Sequence, residues 1–294
     1  MKVLISGATG LIGTELIRQL KELGHTPLSL TRNENPGPNQ VFYSPRTGVI
    51  DPQIMNQVDA VVNLAGATTG RIPWTKKYMS EIVDSRLLTT ELLVRAINEA
   101  ENPPKVLVSG SASGFYGHRG DEVLDEDSGK GSGFLSDLAA KWEEAALKAS
   151  TRVVLVRTTM VMSKKLGALG RLLPLIKLGV GGALGSGKQW WAWITVEDEA
   201  RAIIHLIEHK SAAGPFNLTA PEPATCEQII KELGRQLHRP TFFKVPAWAM
   251  KLLIGIAAEE LLLCSQRMTS SRLEGTGYKF NHPTLSEAAE YVVT

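Results

Sequence analysis

The first thirteen residues constrain the fold more than any other part of the chain. Lys2–Ser6 is a short, mostly apolar run typical of a buried strand, and the turn Gly7-Ala-Thr-Gly10-Leu-Ile-Gly13 follows it without a gap. Apolar residues then recur at helical spacing from Ile12 to Leu23. A strand, a glycine turn and a helix in this order present main-chain N–H groups and the positive end of a helix dipole to an anion. The segment therefore predicts a pyrophosphate site formed by Gly7, Thr9, Gly10, Leu11, Ile12 and Gly13.

Strands and helices alternate through the first half of the chain. The predicted strands are His25–Thr31, Asp59–Ala65, Lys105–Ser109 and Arg152–Arg157, and the predicted helices are Lys76–Glu101 and Phe134–Ala149. This alternation favours a parallel sheet wrapped by helices with right-handed crossovers, an α/β fold of the doubly wound, Rossmann-like type. Ligands of such sheets bind beyond the carboxyl ends of the strands.

The pattern loosens after about Ser163. A helical stretch, Leu166–Leu178, leads into a glycine-rich run, and prolines interrupt the remainder. We therefore expect a nucleotide-binding domain over residues 1–163. A smaller, mostly helical cap, partly interleaved with the sheet, is expected over residues 164–294.

Composition excludes several classes of partner. The 32 Lys and Arg residues nearly balance 30 Asp and Glu residues, so a formal net charge of +2 gives no case for nucleic acid or an anionic membrane. The apolar stretch Leu252–Ala258 stops at Glu259, far short of the roughly 20 residues that a spanning helix needs.

Cys226 and Cys264 lie in no metal-type spacing and are expected to be reduced thiols. We expect a cytoplasmic monomer or homodimer that acts on a small molecule.

Thr31 and Arg32 lie where the second predicted strand ends, beside the expected adenosine ribose. An acidic residue there would bind the free 2′-hydroxyl of NAD, whereas a guanidinium suits a 2′-phosphate. One charge-assisted contact contributes about 1.5–3 kcal/mol, so Arg32 predicts a roughly ten- to hundredfold preference for NADP(H). The alternative is a solvated loop arginine.

Two further segments are candidates for cofactor contacts. The segment Leu64-Ala65-Gly66 ends a central strand, and its small residues would let adenine and ribose lie against the backbone, unless the segment forms only a tight turn. Glu81 and Arg86 share the long helix. Arg86 is either a ligand of a cofactor phosphate or ribose, or an exposed helix charge.

The chain resembles the extended, epimerase-type branch of the short-chain dehydrogenase/reductase superfamily, in particular its atypical SDR39U1-type subfamily. The matching segments span nearly the whole sequence and include SGATGLIG, LTR, NLAG, SRLLTTELL, KWEEAA, GSGKQWWAWI and LGRQLHRP. The tail, about residues 245–292, resembles a small C-terminal domain particular to the subfamily. The resemblance implies a Rossmann-like fold and bound NADP(H), but supplies no substrate. The cofactor residues that it implies are Thr31, Arg32, Leu64, Ala65, Glu81, Arg86 and Val161.

The expected catalytic residues depart from the superfamily's Ser, Tyr and Lys. Asp137, not tyrosine, stands four residues before Lys141, and a carboxylate beside a lysine is a poor proton donor. We expect Asp137 and Lys141 to form an i,i+4 surface ion pair. Ser111 is the best positional match for the serine, ahead of Ser109 and Ser113. Tyr116 is either a substitute acid or a wall of the site. Ser109 and Lys141 are also expected near the cofactor.

Two other clusters admit a functional interpretation. Lys188 and Gln189 precede Trp190, Trp191 and Trp193, and the group either contacts a polar substrate or packs in the core. His205, Glu208 and His209 have the order of an inverted zinc motif, but no third ligand is evident and no metal is expected.

The sequence supports one main function and two alternatives. The first is an NADP(H)-dependent oxidoreductase of a small carbonyl or alcohol, with Ser111, Tyr116 and Lys141 at the reaction centre. The second is a non-catalytic NADP(H)-binding sensor or scaffold, suggested by Asp137. A nucleotide-sugar epimerase is less favoured, because epimerisation also needs reversible proton transfer.

Overall fold

The computed structural model describes residues 1–164 and 169–294, and its centre is a sheet built almost entirely from parallel strands. Within those residues the sheet has eight strands, β1 (Lys2–Ser6), β2 (Thr26–Thr31), β3 (Gln40–Ser44), β4 (Val49–Ile50), β5 (Ala60–Asn63), β6 (Val106–Ala112), β8 (Arg152–Thr158) and β11 (Gly214–Leu218). Two small parallel pairs complete the strands, β7 (Val123–Leu124) with β12 (Arg267–Met268) and β9 (Met160–Met162) with β10 (Trp193–Thr195).

The strand order of the main sheet is β11-β8-β6-β5-β1-β2-β3-β4, and only the β3–β4 pair is antiparallel. The chain runs outward from β1 through β2 and β3, then crosses back to β5 on the other side of β1. The topological switch point therefore lies between β1 and β5, where ligands of doubly wound sheets bind. The predicted Rossmann-like fold class is confirmed.

Helices cover both faces of the sheet and form most of the C-terminal part. Those of the described chain are α1 (Leu11–Glu22), α2 (Lys76–Glu99), α3 (Phe134–Ala146), α4 (Leu169–Lys177), α5 (Val196–Glu208), α6 (Cys226–Gln236), α7 (Ala247–Ile254), α8 (Ser271–Gly275) and α9 (Leu285–Val293). Short 3-10 helices cover Pro52–Gln57 and Ser113–Tyr116, and a π-helical turn covers Ala258–Leu262. No helix in the described ranges is long and apolar enough to cross a membrane.

Strand alternation divides the core into two layers. Val3 and Ile5 of β1 face α1 and α5, whereas Leu4 faces the layer under α2 and α3. Every side chain of β5 is buried because helices cover both faces there. A third cluster, under α4, α6 and α9, includes Trp191 and Trp193.

The second half of the chain returns to the sheet. β11 pairs in parallel with β8, and α5 packs against α1. Both elements follow the domain boundary predicted at residue 163, so that boundary does not separate two structural units. The two predicted domains are interleaved, because β11 forms one edge of the sheet and α5 covers one of its faces.

Most predicted elements match the structure closely, and the differences have physical reasons. β6 extends through Ala112 because the hydroxyls and glycine of its second half are buried against α3 and β8. The β3–β4 hairpin was not predicted, since its strands are short and partly exposed. Of the predicted helix Leu166–Leu178, residues 166–168 lie outside the described residues and the remainder corresponds to α4.

Candidate functional site

The glycine turn after β1 fits a phosphate cradle. Gly7 has φ +71°, and a Cβ built there would lie 2.6 Å from the carbonyl oxygen of Leu64. A Cβ on Gly13 would lie 2.3 Å from the carbonyl oxygen of Gly7. Gly10, the N-cap of α1, has no side chain to cap the helix. The first N–H groups of α1 are thus left for another acceptor, as a bound diphosphate would be.

A buried hydrogen-bond chain fixes the ends of β1 and β5 beside this turn. The Ser6 hydroxyl donates to Asn63 Oδ1 over 2.6 Å and accepts from the Ala65 N–H over 3.1 Å. Asn63 Nδ2 and Trp142 Nε1 each donate to Thr90 Oγ1 over 2.8 Å. The chain ties β1 and β5 to α2 and α3, so the helices hold the strand ends in fixed positions.

Arg86 of α2 lies against the end of β5. Its guanidinium carbon would be 2.9 Å from a Cβ on Gly66, and its Nη1 donates to the carbonyls of Ala67 and Ile82. The guanidinium carbon of Arg86 lies 5.2 Å from the centroid of the Trp142 ring. Burial lowers the pKa of Arg86 to about 10, which still leaves it charged at neutral pH. No carboxylate in the described chain pairs with it, so the cation lacks a counter-ion there. Of the two alternatives for Arg86, the exposed helix charge is wrong.

The remaining predicted cofactor residues have open positions. The last β1–β2 pairing is Ile5 with Ser29, so Thr31 and Arg32 extend beside the glycine turn. Arg32 is exposed and, within the described residues, has no ion-pair partner. Glu81 is exposed on α2. Val161 is half-buried in β9, paired with Ile194 of β10.

Ser111 and Tyr116 do not face a substrate, and their predicted catalytic role is corrected. Ser111 is 4% exposed and donates to Glu143 Oε1 over 2.6 Å. Tyr116 is fully buried, donates to Asn217 Oδ1 and accepts from Arg157 Nη1. Burial raises the pKa of Tyr116 to about 12, so it is a weak acid at neutral pH.

Both hydroxyls belong to a structural ion-pair network. Arg157 of β8 binds Glu143 of α3 through two contacts, Nε–Oε1 at 2.8 Å and Nη2–Oε2 at 2.9 Å, and stacks 3.7 Å over the ring of Phe115. Burial lowers the pKa of Arg157, but the contacts with Glu143 outweigh it and raise the pKa overall. Sequence spacing could not reveal this network, because its members lie on α3, β8 and the turn after β6.

The ion pair expected between Asp137 and Lys141 is not formed. Asp137 is exposed and its Oδ1 instead lies 2.5 Å from Lys130 Nζ. The hydrogen bond with Lys130 holds the pKa of Asp137 below its ordinary value, so the carboxylate stays ionised at neutral pH. Lys141 is exposed on α3 next to Trp142, the residue that supports Arg86.

Ser113, rather than Ser111, is the accessible hydroxyl at the carboxyl end of β6. It begins the 3-10 helix that packs against the start of α3, is half-buried, and has no hydrogen-bond partner in the described ranges. Ser109 is fully buried within β6, and within the described part of the chain its hydroxyl donates only to the carbonyl of Gly110, over 3.4 Å. Its predicted contact with the cofactor is therefore not supported by its position.

The tryptophan cluster and the histidine motif are structural. Trp191 and Trp193 are buried, and Gln189 donates to the carbonyls of Leu184 and Leu262, so it is not free to meet a substrate. His205 Nε2 lies 2.8 Å from Thr276 Oγ1, so the ring nitrogen that would bind a metal is already hydrogen-bonded. Among residues 1–164 and 169–294, no group of three potential ligands could hold a metal ion.

The C-terminal tail contacts the helix that carries Lys141. The carboxylate of Glu260 accepts hydrogen bonds from the backbone N–H groups of Phe134 (3.0 Å) and Leu135 (3.1 Å) at the start of α3. Gly133 makes this approach possible, since a Cβ there would lie 2.6 Å from Glu260 Oε1. Sequence reasoning missed this cap, because Glu260 appeared only as the end of an apolar stretch.

Comparisons with known proteins agree with this arrangement. A family model described as "NAD dependent epimerase/dehydratase family" matches residues 3–219, and one described as "Domain of unknown function (DUF1731)" matches residues 245–292. An epimerase family protein of Mycobacterium leprae is 38% identical over 295 residues, covering 99% of this chain and 95% of the relative. Human epimerase family protein SDR39U1 is 36% identical over 300 residues, covering 100% of both.

A solved structure is similar over the same length. The crystal structure of human SDR39U1, isoform 2, with NADPH has a TM-score of 0.91 at 34% identity and covers 99% of each chain. The resemblance of the first half and that of the tail are both confirmed. The chain is therefore a member of the NAD dependent epimerase/dehydratase family that carries a DUF1731 domain at its C-terminal end.

Proposed function

We propose that the protein is an NADP(H)-dependent oxidoreductase of a small carbonyl or alcohol. The observation that carries the proposal is the guanidinium of Arg86, a half-buried cation with no carboxylate partner in the described chain, at the switch point of the sheet. A buried charge without a counter-ion is unfavourable, and an anionic ligand beside the glycine turn would supply one. The human relative crystallised with NADPH supports the same ligand.

Each cofactor group has a matching residue. The N–H groups at the start of α1 would bind the pyrophosphate, and Arg32 would bind the 2′-phosphate. Thr31, Leu64 and Ala65 would line the adenosine, and Glu81 would accept from a ribose hydroxyl. Val161 and Lys141 would lie toward the nicotinamide, as the family pattern implies. The cofactor itself would supply the hydride.

The proton needs a different donor from the family's tyrosine. Asp137 is ionised and paired with Lys130, and the hydroxyls of Ser111 and Tyr116 are occupied inside the fold. We assign the proton transfer to the ammonium group of Lys141, which is exposed and free of ion pairs in the described chain. The hydroxyl of Ser113 would orient the substrate oxygen. Reduction of a carbonyl would thus leave an alcohol and a neutral Lys141 amine, which water reprotonates.

Nucleotide selectivity tests the binding half of the proposal. Titration with NADPH and NADH should show a preference for NADPH, and Arg32→Ala should weaken NADPH binding roughly ten- to hundredfold, the effect of one charge-assisted contact, with little change for NADH. Arg46→Ala, which removes an exposed arginine of the β3–β4 turn, is the matched control. A preference for NADH in the unmodified protein would contradict the assignment of Arg32.

Hydride exchange tests the catalytic half. NADPH deuterated at C4 is incubated with a panel of aldehydes, ketones and alcohols, and transfer is followed by mass spectrometry. Lys141→Met should abolish transfer while leaving NADPH binding within a few-fold, whereas Lys148→Met, an exposed lysine beyond the end of α3, should leave both unchanged.

A non-catalytic NADP(H)-binding protein is the second candidate. The pairing of Asp137 with Lys130 and the buried positions of Ser111 and Tyr116 favour this candidate. They leave none of these three side chains free to replace the family's tyrosine as the acid. This function predicts tight NADPH binding with no deuteride transfer across the panel. Nucleotide-sugar epimerisation is less well supported for the same reason, and a panel that includes UDP-sugars tests it.

A further inference from the structure

The C-terminal half exposes a group of large apolar side chains that the proposed redox site does not use. Among those that the structure describes, five are at least 70% exposed, namely Leu178 (76%), Phe242 (70%), Trp248 (70%), Leu252 (80%) and Leu253 (73%). Single exposed apolar residues are common on proteins, but a contiguous group marks an interaction surface.

Two segments of backbone bring these residues to one place. Gly182 bridges to Phe242 and Leu184 bridges to Val245, and the Val245 N–H donates to the carbonyl of Ala183 over 3.0 Å. The first segment continues from the end of α4, and the second leads directly into α7. Leu178 and Phe242 therefore lie on adjoining strands of chain, with Trp248, Leu252 and Leu253 on the exposed side of α7. We call these five residues the apolar face.

The segments that carry the apolar face are mainly basic. Residues 164–188 and 237–260 together contain eight of the 32 Lys and Arg residues and two of the 30 Asp and Glu residues, Glu259 and Glu260. The remainder of the chain, with 24 basic and 28 acidic residues, is net negative by four. The overall charge of +2, which gave no case for an anionic partner, conceals this asymmetry.

We propose that the apolar face docks the protein on the surface of an anionic lipid bilayer. Tryptophan and phenylalanine prefer the boundary between headgroups and hydrocarbon, and leucines on one side of a short helix insert into it. Lys177 and Lys244, both exposed in these segments, reach the lipid phosphates with their charged ends. Lys251, also exposed, lies 2.5 Å from Glu259 Oε1. The docking is peripheral, since no described helix could span the membrane.

The charge pattern distinguishes this partner from a second copy of the chain. A symmetric dimer through the apolar face would place the same mainly basic segments against each other. Their two carboxylates are already engaged, since Glu259 pairs with Lys251 and Glu260 accepts from the start of α3. A bilayer with anionic headgroups instead complements the basic segments. The apolar side chains also protrude rather than line a groove, which suits a fluid surface better than a bound helix.

Vesicle flotation tests the proposal on the full chain. Vesicles of phosphatidylcholine alone and of phosphatidylcholine with 30% phosphatidylglycerol are the probes. We expect binding to the anionic vesicles only, a blue shift of tryptophan emission on binding, and release as salt is raised. Leu252→Ser combined with Leu253→Ser should weaken vesicle binding at least tenfold, and Lys244→Glu should weaken it several-fold.

The control separates the apolar face from apolar exposure in general. Leu23→Ser combined with Leu147→Ser changes two leucines that are 59% and 56% exposed at the ends of α1 and α3, and should leave vesicle binding unchanged. Absence of binding to anionic vesicles overturns the proposal, as does an equal loss in the control. Self-association that Leu252→Ser with Leu253→Ser abolishes, without vesicle binding, would assign the face to a second copy instead.

Discussion

Replacing Glu199 with glutamine should remove a loss of folding stability that the unmodified protein undergoes as the pH rises from 5 to 7. Glu199 of α5 is fully buried, and its Oε1 accepts one hydrogen bond, of 2.7 Å, from Thr158 Oγ1. Its Oε2 has no hydrogen-bond partner among residues 1–164 and 169–294. Burial raises the pKa of Glu199 from 4.5 to about 8, against the opposing effect of the Thr158 hydroxyl, so the folded protein keeps this carboxyl protonated at pH 7.

The expected magnitude follows from the two pKa values. The unfolded chain releases the proton above pH 4.5 while the folded chain keeps it up to about pH 8, so folding stability falls as pH rises through this window. At about 1.36 kcal/mol per pH unit, unmodified protein should lose about 2.5 kcal/mol between pH 5 and pH 7 through Glu199 alone. Glutamine has the shape of the neutral acid but cannot ionise, so the variant escapes this loss.

Urea denaturation at pH 5 and pH 7 measures the effect. The difference in free energy of unfolding, variant minus unmodified protein, should rise by about 2.5 kcal/mol from pH 5 to pH 7, or about 4 °C in Tm for a chain of this length. The other titrating groups are the same in both proteins, so their contributions cancel in this difference. Glu91→Gln, an exposed glutamate of α2, should show no such rise.

One result would refute the reasoning. An unchanged difference between pH 5 and pH 7 would mean that Glu199 is ionised in the folded protein, with water or a cation beside its second oxygen. A difference that goes on rising above pH 8 would place the folded pKa of Glu199 higher still, without changing the argument.

Three further changes test other parts of the structure. Gly13→Ala should abolish NADPH binding, because its methyl group meets the carbonyl of Gly7, and equilibrium dialysis that finds normal affinity would contradict the cradle. Glu260→Ala should cost about 0.5–2 kcal/mol, the contribution of a helix cap, and speed hydrogen exchange at the start of α3; unchanged exchange would count against the cap. Glu143→Ala should cost about 3–5 kcal/mol by leaving Arg157 buried without its partner, whereas exposed Glu144→Ala should change the unfolding free energy by under about 1 kcal/mol.

The sequence predicted the fold and the nucleotide cradle because both depend on local patterns. The strand, glycine turn and helix at the start of the chain are contiguous, and their geometry follows from residue type. Arg32 could be placed at the end of β2 by counting from that strand.

The catalytic assignments were less reliable because they depend on which way a side chain points. Ser111 and Ser113 are two residues apart, yet the first is sealed by Glu143 and the second begins a new helix with an open hydroxyl. Nothing in the spacing reveals Glu143 as a partner. Likewise, Lys130 competes successfully for Asp137 because the loop before α3 folds back, a tertiary contact that helical periodicity cannot predict.

The cap on α3 has a consequence for the order in which the protein is made. Phe134 and Leu135 leave the ribosome long before Glu260, so their N–H groups have no carboxylate cap until the last segment has been made. The same segment supplies Leu273 and Tyr278 to the core cluster that contains Val3 and Ile5 of β1. A product truncated before residue 260 would therefore lack both the cap on α3 and part of the packing beside the nucleotide cradle.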